Sequence, residues 1–483
     1  MKVKSMQKSI RRIVKMTEYM RLESDSIGEM EVPGEAYYGV QALRANENFP
    51  ITGNSLHPDF IKNMARIKRA AAITNMRAGR LKPEIANAIE SACNEVVCGM
   101  FASEFIVDGI QGGAGTSANM NMNEVIANRA IEMLCGKKGD YSIVHPNDHV
   151  NMAQSTNDVI PTAGKLTVLD LLKKLEKSLK KLDSALYKKA DEFDGVIKIG
   201  RTQLEDAVPM RLGQSFHAYA TMIERDMDRI EKAKKEMYTV NMGATAIGTG
   251  INTSEYYFDH IVPTLARVSG YPLVQADDLF DATENLDGFV RVSSCLKACA
   301  VNLSKMCNDL RILASGPKAG FGEITLPAMQ NGSSIMPGKV NPVIPEVTNQ
   351  VCFKVIGNDT TISFAAEAGQ LELNVMEPII TESLFESLTW MKNAIETLTE
   401  ECVLGITVNK ERCYEMVKNS IGIVTALNPI IGYKASTKVA KEAHATGRSV
   451  YDIVIEQGLM SKEELDKALD PKEMLHSHKF TLK

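Results

Sequence analysis

Leucines at helical spacing are the feature of this sequence that most restricts its fold. Between residues 166 and 186, leucine returns every three or four positions, with lysine and acidic residues in between. This spacing places the leucines on one face of a long helix. Further runs with helical patterning cover about 207–238, 283–315, 343–368 and 376–404. A helix of about 30 residues spans about 45 Å and is best buried in a bundle, so we predict an all-α fold built on five long helices.

The segments on either side of these runs predict three domains. Residues 20–60 contain turn residues and short extended pieces, and the chain after about residue 412 has the spacing of short helices. The first 19 residues hold six Lys or Arg and one Glu, which suits a frayed tail, an upstream start or, less well, a transit-like peptide. The predicted division is a basic extension over 1–19, an N-terminal domain over 20–156, a long-helix domain over 157–412 and a small helical C-terminal domain over 413–483.

Composition excludes several classes of protein. The hydrophobic fraction of 44% is that of an ordinary globular chain, and a net charge of −5 gives no electrostatic case for nucleic acid binding. We find no stretch approaching the roughly 20 apolar residues that cross a bilayer. The nine cysteines form no CxxC pair and no zinc-ligand spacing, which indicates a reducing compartment. We therefore expect a cytoplasmic protein without a structural metal.

Hydrogen-bonding side chains cluster beside glycine-rich connections and at the starts of the long helices. Taken one at a time, such residues are more often helix caps or turn residues. Together, hydroxyl and amide donors with one cation can hold a small carboxylate, and helix N-termini attract anions. Neither GxGxxG nor GxxxxGK[ST] occurs, so the glycines do not indicate a nucleotide site. The clustered residues are Thr116, Ser155, Thr156, Asn157, Thr202, Gln203, Ser333, Ser334, Lys339 and Asn341.

One of these clusters carries a resemblance to a known family. Residues 332–341 read Gly-Ser-Ser-Ile-Met-Pro-Gly-Lys-Val-Asn, which matches the GSSxMPxKxN signature of the aspartase/fumarase superfamily, and the resemblance extends over about residues 20 to 480. Within it the chain is most similar to the aspartate ammonia-lyases, because Thr156 and Gln203 stand where class II fumarases typically have Ser and His. Two alternatives stay open: fumarate hydratase, and a structural protein that keeps the fold without activity.

The resemblance implies a reaction and a role for each clustered residue. The reaction is reversible elimination of ammonia from L-aspartate to give fumarate, without cofactor or metal. Proton removal beside the side-chain carboxylate leaves a carbanion whose charge spreads into that carboxylate, so the site must supply preorganised donors. Ser333 would be the base, as its oxyanion. The resemblance places Thr116, Ser155, Thr156 and Ser334 at the reacting carboxylate, Lys339, Asn341 and Thr202 at the other carboxylate, and Asn157 and Gln203 near the amino group.

The resemblance also implies an assembly. The expected state is a homotetramer in which the central helices of four subunits form one twenty-helix core. Three different subunits would then contribute to each active site.

Overall fold

The structure is a computed structural model that describes residues 19–469, so the predicted basic extension lies, apart from Tyr19, outside the described residues. Over the described part the chain is predominantly α-helical, which confirms the all-α prediction. In chain order the α-helices are α1 (Val40–Asn48), α2 (Pro58–Arg77), α3 (Pro83–Val97), α4 (Thr116–Met133), α5 (Thr156–Glu192), α6 (Leu212–Lys234), α7 (Glu255–Ser269), α8 (Asp281–Glu284), α9 (Asp287–Leu313), α10 (Val343–Glu367), α11 (Glu377–Glu401), α12 (Lys410–Asn419), α13 (Val424–Ile431), α14 (Tyr433–Thr446), α15 (Val450–Glu456) and α16 (Lys462–Ala468).

The five longest of these helices, α5, α6, α9, α10 and α11, lie where the sequence predicts them. Helix α5 has 37 residues, which makes it about 56 Å long. Its leucines at the predicted spacing, from Leu166 to Leu186, are each no more than 1% exposed. One boundary is wrong in the prediction: the run from 207 begins as a strand, and α6 starts only at Leu212. None of the helices between residues 19 and 469 is both long and apolar enough to span a bilayer.

Short strands form four two-stranded sheets within residues 19–469. The first sheet contains one of the two extended pieces expected near the start of the chain, residues 31–33, whereas residues 36–39, also expected to be extended, lie outside any strand. Three sheets are antiparallel and the third along the chain is parallel. The pairs are β1 (Met20–Asp25) with β2 (Gly28–Pro33), β3 (Ile197–Thr202) with β4 (Glu205–Arg211), β5 (Thr239–Val240) with β6 (Val274–Gln275), and β7 (Ile324–Thr325) with β8 (Thr407–Val408).

Single helical turns connect some of the longer elements. Four are 3₁₀ turns, at Ala102–Glu104, Lys235–Tyr238, Val403–Gly405 and Ile421–Ile423. The fifth is a π-helical turn at Pro146–Val150, which brings the chain towards the start of α5. Such turns are typical of connectors between helices.

The chain separates into two compact units. The predicted three-domain division follows different boundaries and stays a prediction. The first unit contains the residues up to Leu175, Arg229–Lys297 and Lys354–Thr389, and the second unit contains Glu176–Asp228, Ala298–Phe353 and the residues from Trp390 onwards.

An apolar cluster in the second unit fixes the β3–β4 hairpin. Ile199 of β3 is buried in a cluster formed mainly by the short helices α12 to α16. Burying one such aliphatic side chain stabilises the fold by about 1.5–3 kcal/mol. The hairpin is thereby anchored to the C-terminal helices, with its turn at residues 203 and 204. Other buried members of the cluster are Val417, Leu427, Val439, Ile453 and Leu465.

Candidate active site

The start of α5 carries three of the predicted site residues in the first unit. Ser155 immediately precedes the helix, and its Oγ accepts a hydrogen bond from the backbone nitrogen of Asn157 at 3.2 Å. The backbone nitrogen of Ser155 in turn donates to Oδ1 of Asp158 at 2.9 Å. This exchange satisfies free N–H groups of the first turn, in the manner of a capping box. It fixes the position of Thr156, the first residue of the helix.

Thr116, the first residue of α4, lies beside Thr156. The two Oγ1 atoms are 3.2 Å apart, and Nδ2 of Asn119 lies 3.3 Å from Oγ1 of Thr156. Gly115 permits this approach: its φ is +87°, and a Cβ there would lie 2.9 Å from a side-chain carbon of Ile160. The predicted donors Thr116 and Thr156 therefore belong to one cluster, which also includes Asn119.

A glycine-rich loop, residues 243–250, is held against the same helix start. The carboxylate of Asp158 accepts hydrogen bonds from the backbone nitrogens of Gly243 and Thr245 at 3.2 and 3.1 Å. Nδ2 of Asn157 donates to the carbonyl of Ala246 at 2.7 Å. Burial raises the pKa of Asp158 to about 7, although these backbone N–H groups act in the opposite direction. The three glycines of the loop have positive φ, which suits a tight turn.

The signature segment forms an exposed loop in the second unit, and Ser333 lies near its start. Oγ of Ser333 accepts hydrogen bonds from the backbone nitrogens of Ile335 at 3.2 Å and Met336 at 3.0 Å. Backbone N–H groups aimed at an oxygen are what stabilises negative charge there. The neighbouring Ser334 and, further on, Lys339 are exposed. The loop can therefore present a serine oxygen, a hydroxyl and an ammonium to a ligand.

The base of this loop is closed by backbone and amide contacts. The backbone nitrogen of Gly332 donates to the carbonyl of Lys339 at 2.8 Å. Nδ2 of Asn341 donates to the carbonyl of Gly332 at 2.6 Å. A Cβ on Gly332 would lie 2.7 Å from the backbone nitrogen of Asn341, so the closure requires glycine. Asn341 thus braces the loop, a contact that the sequence did not predict.

Thr202 and Gln203 lie on a different element of the second unit, the β3–β4 hairpin. Thr202 pairs with Glu205 across a two-residue turn. Both turn residues, Gln203 and Leu204, have positive φ, 56° and 66°, as a type I′ turn requires. A non-glycine residue in this region is strained and is held by its surroundings.

A buried ion pair supports the strand that leads into this turn. Nη1 of Arg201 lies 2.9 Å from Oε1 of Glu323, whose side chain is fully buried, and Lys198 contacts the other carboxylate oxygen at 3.3 Å. The Arg201 guanidinium also stacks over the ring of Phe321, 4.1 Å from its centre. These contacts fix the residue immediately before Thr202.

Two residues were not predicted from the sequence: Asn119 of the Thr156 cluster, and Asp158, which holds the start of α5 and the loop 243–250. For Asp158 a signal existed, because Ser155-Thr-Asn-Asp158 has the S/T-x-x-D/E spacing of a helix start. Asn119 stands in an asparagine-rich stretch of α4, and nothing in its spacing distinguishes it from its neighbours. No group of three or more His, Cys, Asp or Glu residues in the part of the chain that the structure describes could hold a metal ion.

Comparison with known proteins decides the family. A family model described as Lyase matches residues 28–357, and one described as Fumarase C C-terminus matches residues 423–476. The chain belongs to the aspartase/fumarase lyase family. The family predicted from the signature segment is thereby confirmed.

Individual members of this lyase family match the chain over nearly its full length. It is 53% identical over 454 residues to an aspartate ammonia-lyase of Bacillus subtilis, covering 94% of this chain and 96% of that one. Identity to the aspartate ammonia-lyase of Helicobacter pylori is 53% over 463 residues, covering 95% and 99%. The corresponding protein of Escherichia coli K12 is 50% identical over 464 residues, covering 95% and 97%.

Solved structures of family members share the fold. A fumarate lyase:delta crystallin from Brucella melitensis, bound to cobalt, superposes with a TM-score of 0.92 at 47% identity, covering 94% of this chain and 99% of that one. A class II fumarase from Schistosoma mansoni superposes with a TM-score of 0.91 at 36% identity, covering 95% and 100%.

Proposed function

We propose that this protein is an aspartate ammonia-lyase that converts L-aspartate reversibly to fumarate and ammonia. The observation that carries the proposal is identity of 50–53% to aspartate ammonia-lyases over nearly the whole chain. The loop of residues 332–341 supports it, because the oxygen of Ser333 faces two backbone N–H groups. Together they favour a carbon–nitrogen lyase that uses a serine base.

The proposed chemistry begins at Cβ of aspartate. The Ser333 oxyanion takes a proton from Cβ, and the electron pair of the C–H bond moves into the adjacent carboxylate. This carboxylate then carries nearly two negative charges. The pair returns to form the Cα–Cβ double bond as the C–N bond breaks, and ammonia leaves with the bonding electrons. The charge on the intermediate is transient, so donors that are already in place stabilise the transition state more than the substrate.

The other clustered residues bind the substrate in this scheme. Lys339 carries the charge that pairs with the non-reacting carboxylate, a charge-assisted contact worth about 1.5–3 kcal/mol. The chain's own residues supply all the proposed chemistry, so no cofactor is invoked. The proposed contacts are Thr116, Ser155, Thr156 and Ser334 at the reacting carboxylate, Asn341 and Thr202 with Lys339 at the other, and Asn157 and Gln203 near the amino group.

We further propose that the working enzyme is a homotetramer with shared active sites. Large apolar side chains on the long helices support this: Val301 of α9 is 51% exposed, and Phe353 and Phe364 of α10 are 61% and 71% exposed. Exposed apolar side chains of this size on a helix indicate a partner surface. A twenty-helix core made from four subunits would cover them. The nine free cysteines support a cytoplasmic location.

Fumarate hydratase is the alternative, because the class II fumarase from Schistosoma mansoni has the same fold at 36% identity. One experiment separates the two activities. The enzyme is incubated with fumarate alone and with fumarate plus ammonium, and the products are identified by NMR. Aspartate in the second incubation, with little malate in either, supports the ammonia-lyase. Malate formed at equal rate in both would replace it with the hydratase.

A further inference from the structure

Lys68 of α2 is a buried cation near the Thr156 cluster. Its side chain is fully buried, and its ammonium donates hydrogen bonds to two neutral amide oxygens, Oδ1 of Asn151 at 2.7 Å and Oε1 of Gln154 at 3.0 Å. Burial lowers the pKa of Lys68 to about 7, against the attraction of Asp158 and Cys93, which raises it. A buried lysine costs free energy unless its surroundings compensate it, so this lysine calls for an explanation.

The ammonium fixes which way the Asn151 amide faces. A lysine in its charged form can only donate, so Asn151 then turns its oxygen, and not its NH₂ group, towards Lys68. The same oxygen also accepts from Nδ2 of Asn119 at 3.2 Å and from Nδ2 of Asn123 at 3.3 Å. The Asn151 oxygen therefore accepts hydrogen bonds from three donors, those of Lys68, Asn119 and Asn123, and all three require the amide of Asn151 to have the same orientation.

This arrangement in turn orients Asn119. Its NH₂ group serves Asn151 and also lies 3.3 Å from Oγ1 of Thr156. Its own oxygen is buried and makes no hydrogen bond among the described residues. Were the amide of Asn119 reversed, its oxygen would face Thr156 and accept the hydroxyl proton. As it stands, Oγ1 of Thr156 accepts from Asn119, so its own proton is not taken up by that amide. Thr116 gives its single hydroxyl proton to the carbonyl of Gly113 at 2.7 Å, so the Thr156 proton can be given to Oγ1 of Thr116, 3.2 Å away, or to a ligand.

We propose that Lys68 is a positioning residue that keeps the Thr156 hydroxyl available as a donor to the reacting carboxylate. The inference rests on the proposed function. The Lys68 ammonium orients the Asn151 oxygen, the Asn151 oxygen orients the Asn119 amide, and the Asn119 amide donates to Thr156. No step requires Lys68 to touch the substrate. Its contribution is the direction of three hydrogen bonds.

The variant Lys68→Met tests this at similar side-chain volume. Without the ammonium, Asn151 and Asn119 are free to reverse, and Thr156 donates to Asn119 instead. Losing one donor aimed at a developing oxyanion costs up to about 10²–10³ in kcat. We expect kcat for aspartate to fall about 10- to 100-fold, with a smaller change in KM because the interaction strengthens in the transition state.

A double-mutant cycle separates orientation from general damage. In a Thr156→Val background there is no hydroxyl to orient, so adding Lys68→Met should change kcat less than threefold. The matched control is Lys165→Met, which removes another largely buried lysine of the first unit, one that donates to the carbonyl of Thr239 at 2.8 Å. Its effect on kcat should be small, and the same with and without Thr156→Val.

A second variant serves if Lys68→Met fails to fold, as judged by circular dichroism. Asn151→Ala removes the shared acceptor but leaves Lys68 its bond to Gln154, and it should show the same non-additivity with Thr156→Val.

Two results would overturn the inference. One is a correctly folded variant whose kcat stays within threefold of the wild-type value. The other is a loss of kcat that adds fully to the loss caused by Thr156→Val. Wild-type enzyme without ammonia-lyase activity would instead refute the proposed function, which keeps the two failures distinct.

Discussion

The side-chain oxygen of Ser333 lies 3.0 Å from the backbone nitrogen of Met336, from which it accepts a hydrogen bond. With the N–H of Ile335, this contact prepares the serine to carry negative charge. Ser333→Ala should therefore lower kcat by at least about 10³-fold, because the interaction matters in the transition state. Binding of a dicarboxylate inhibitor, measured by calorimetry, should change less than about threefold. Retention of a tenth of wild-type kcat would remove Ser333 from the role of base.

Gly332 offers a test of the loop geometry that leaves every side-chain donor in place. An added Cβ would meet the backbone nitrogen of Asn341 at 2.7 Å and the carbonyl of Lys339 at 2.8 Å, so the loop base must open. We expect Gly332→Ala to lower kcat more than tenfold, with little change in Tm because the loop is exposed.

The matched control for this variant is Gly195→Ala, where a Cβ would meet nothing within 4 Å. Its kcat should equal that of wild type. Equal kcat for Gly332→Ala would show that the loop base tolerates displacement and that its closure is not needed for the reaction.

The sequence predicts the long helices of this fold well and its smaller features less well. The leucines of α5 mark one buried face, because apolar residues that recur every three or four positions over a run of that length fit an α-helix and no strand. The strand β4 was not predicted. It covers only residues 205–211, and it is extended because it pairs with β3 across the hairpin. Local pattern cannot show such a tertiary preference.

The candidate site divides in the same way. The signature segment singles out Ser333, yet the contact of Asn341 with the carbonyl of Gly332 depends on how the loop closes. Asn119 and Lys68 were missed for a related reason. Their role follows from which amide faces which oxygen, and that information appears only when α2 and α4 are placed in space.

His57 predicts a pH dependence of stability. It caps α2, with Nδ1 accepting from the backbone nitrogen of Asp59 at 3.2 Å. Burial lowers the pKa of His57 below its usual 6.5, with the nearby Asp59 opposing this. The folded state thus binds fewer protons than the unfolded state near and below pH 6.5. The stability that the neutral His57 contributes is therefore present above about pH 6.5 and is lost as the pH falls.

The variant His57→Asn keeps an acceptor at the cap but does not titrate. Between about pH 7.5 and about pH 5.5, the Tm of wild type measured by calorimetry should fall further than the Tm of the variant. Equal falls would show that His57 has the same pKa in the folded and unfolded chains.

Shared active sites predict rescue between two inactive variants. Thr156→Ala and Ser333→Ala remove residues of different clusters. If different subunits supply these clusters, chains of the two variants that are unfolded and refolded together should regenerate some sites with both residues intact. Activity should then appear in the mixture and in neither variant refolded alone. A mixture that stays inactive, although native mass spectrometry finds mixed tetramers, would place both clusters in one subunit's site.

The most direct test of the proposed function is the appearance of fumarate, followed by its ultraviolet absorbance, with L-aspartate or L-malate as substrate. Wild-type enzyme should form fumarate from aspartate with a kcat/KM far above that for malate, and Ser333→Ala should form it from neither at a comparable rate. A higher kcat/KM for malate, or no fumarate from aspartate, would contradict the assignment as an aspartate ammonia-lyase.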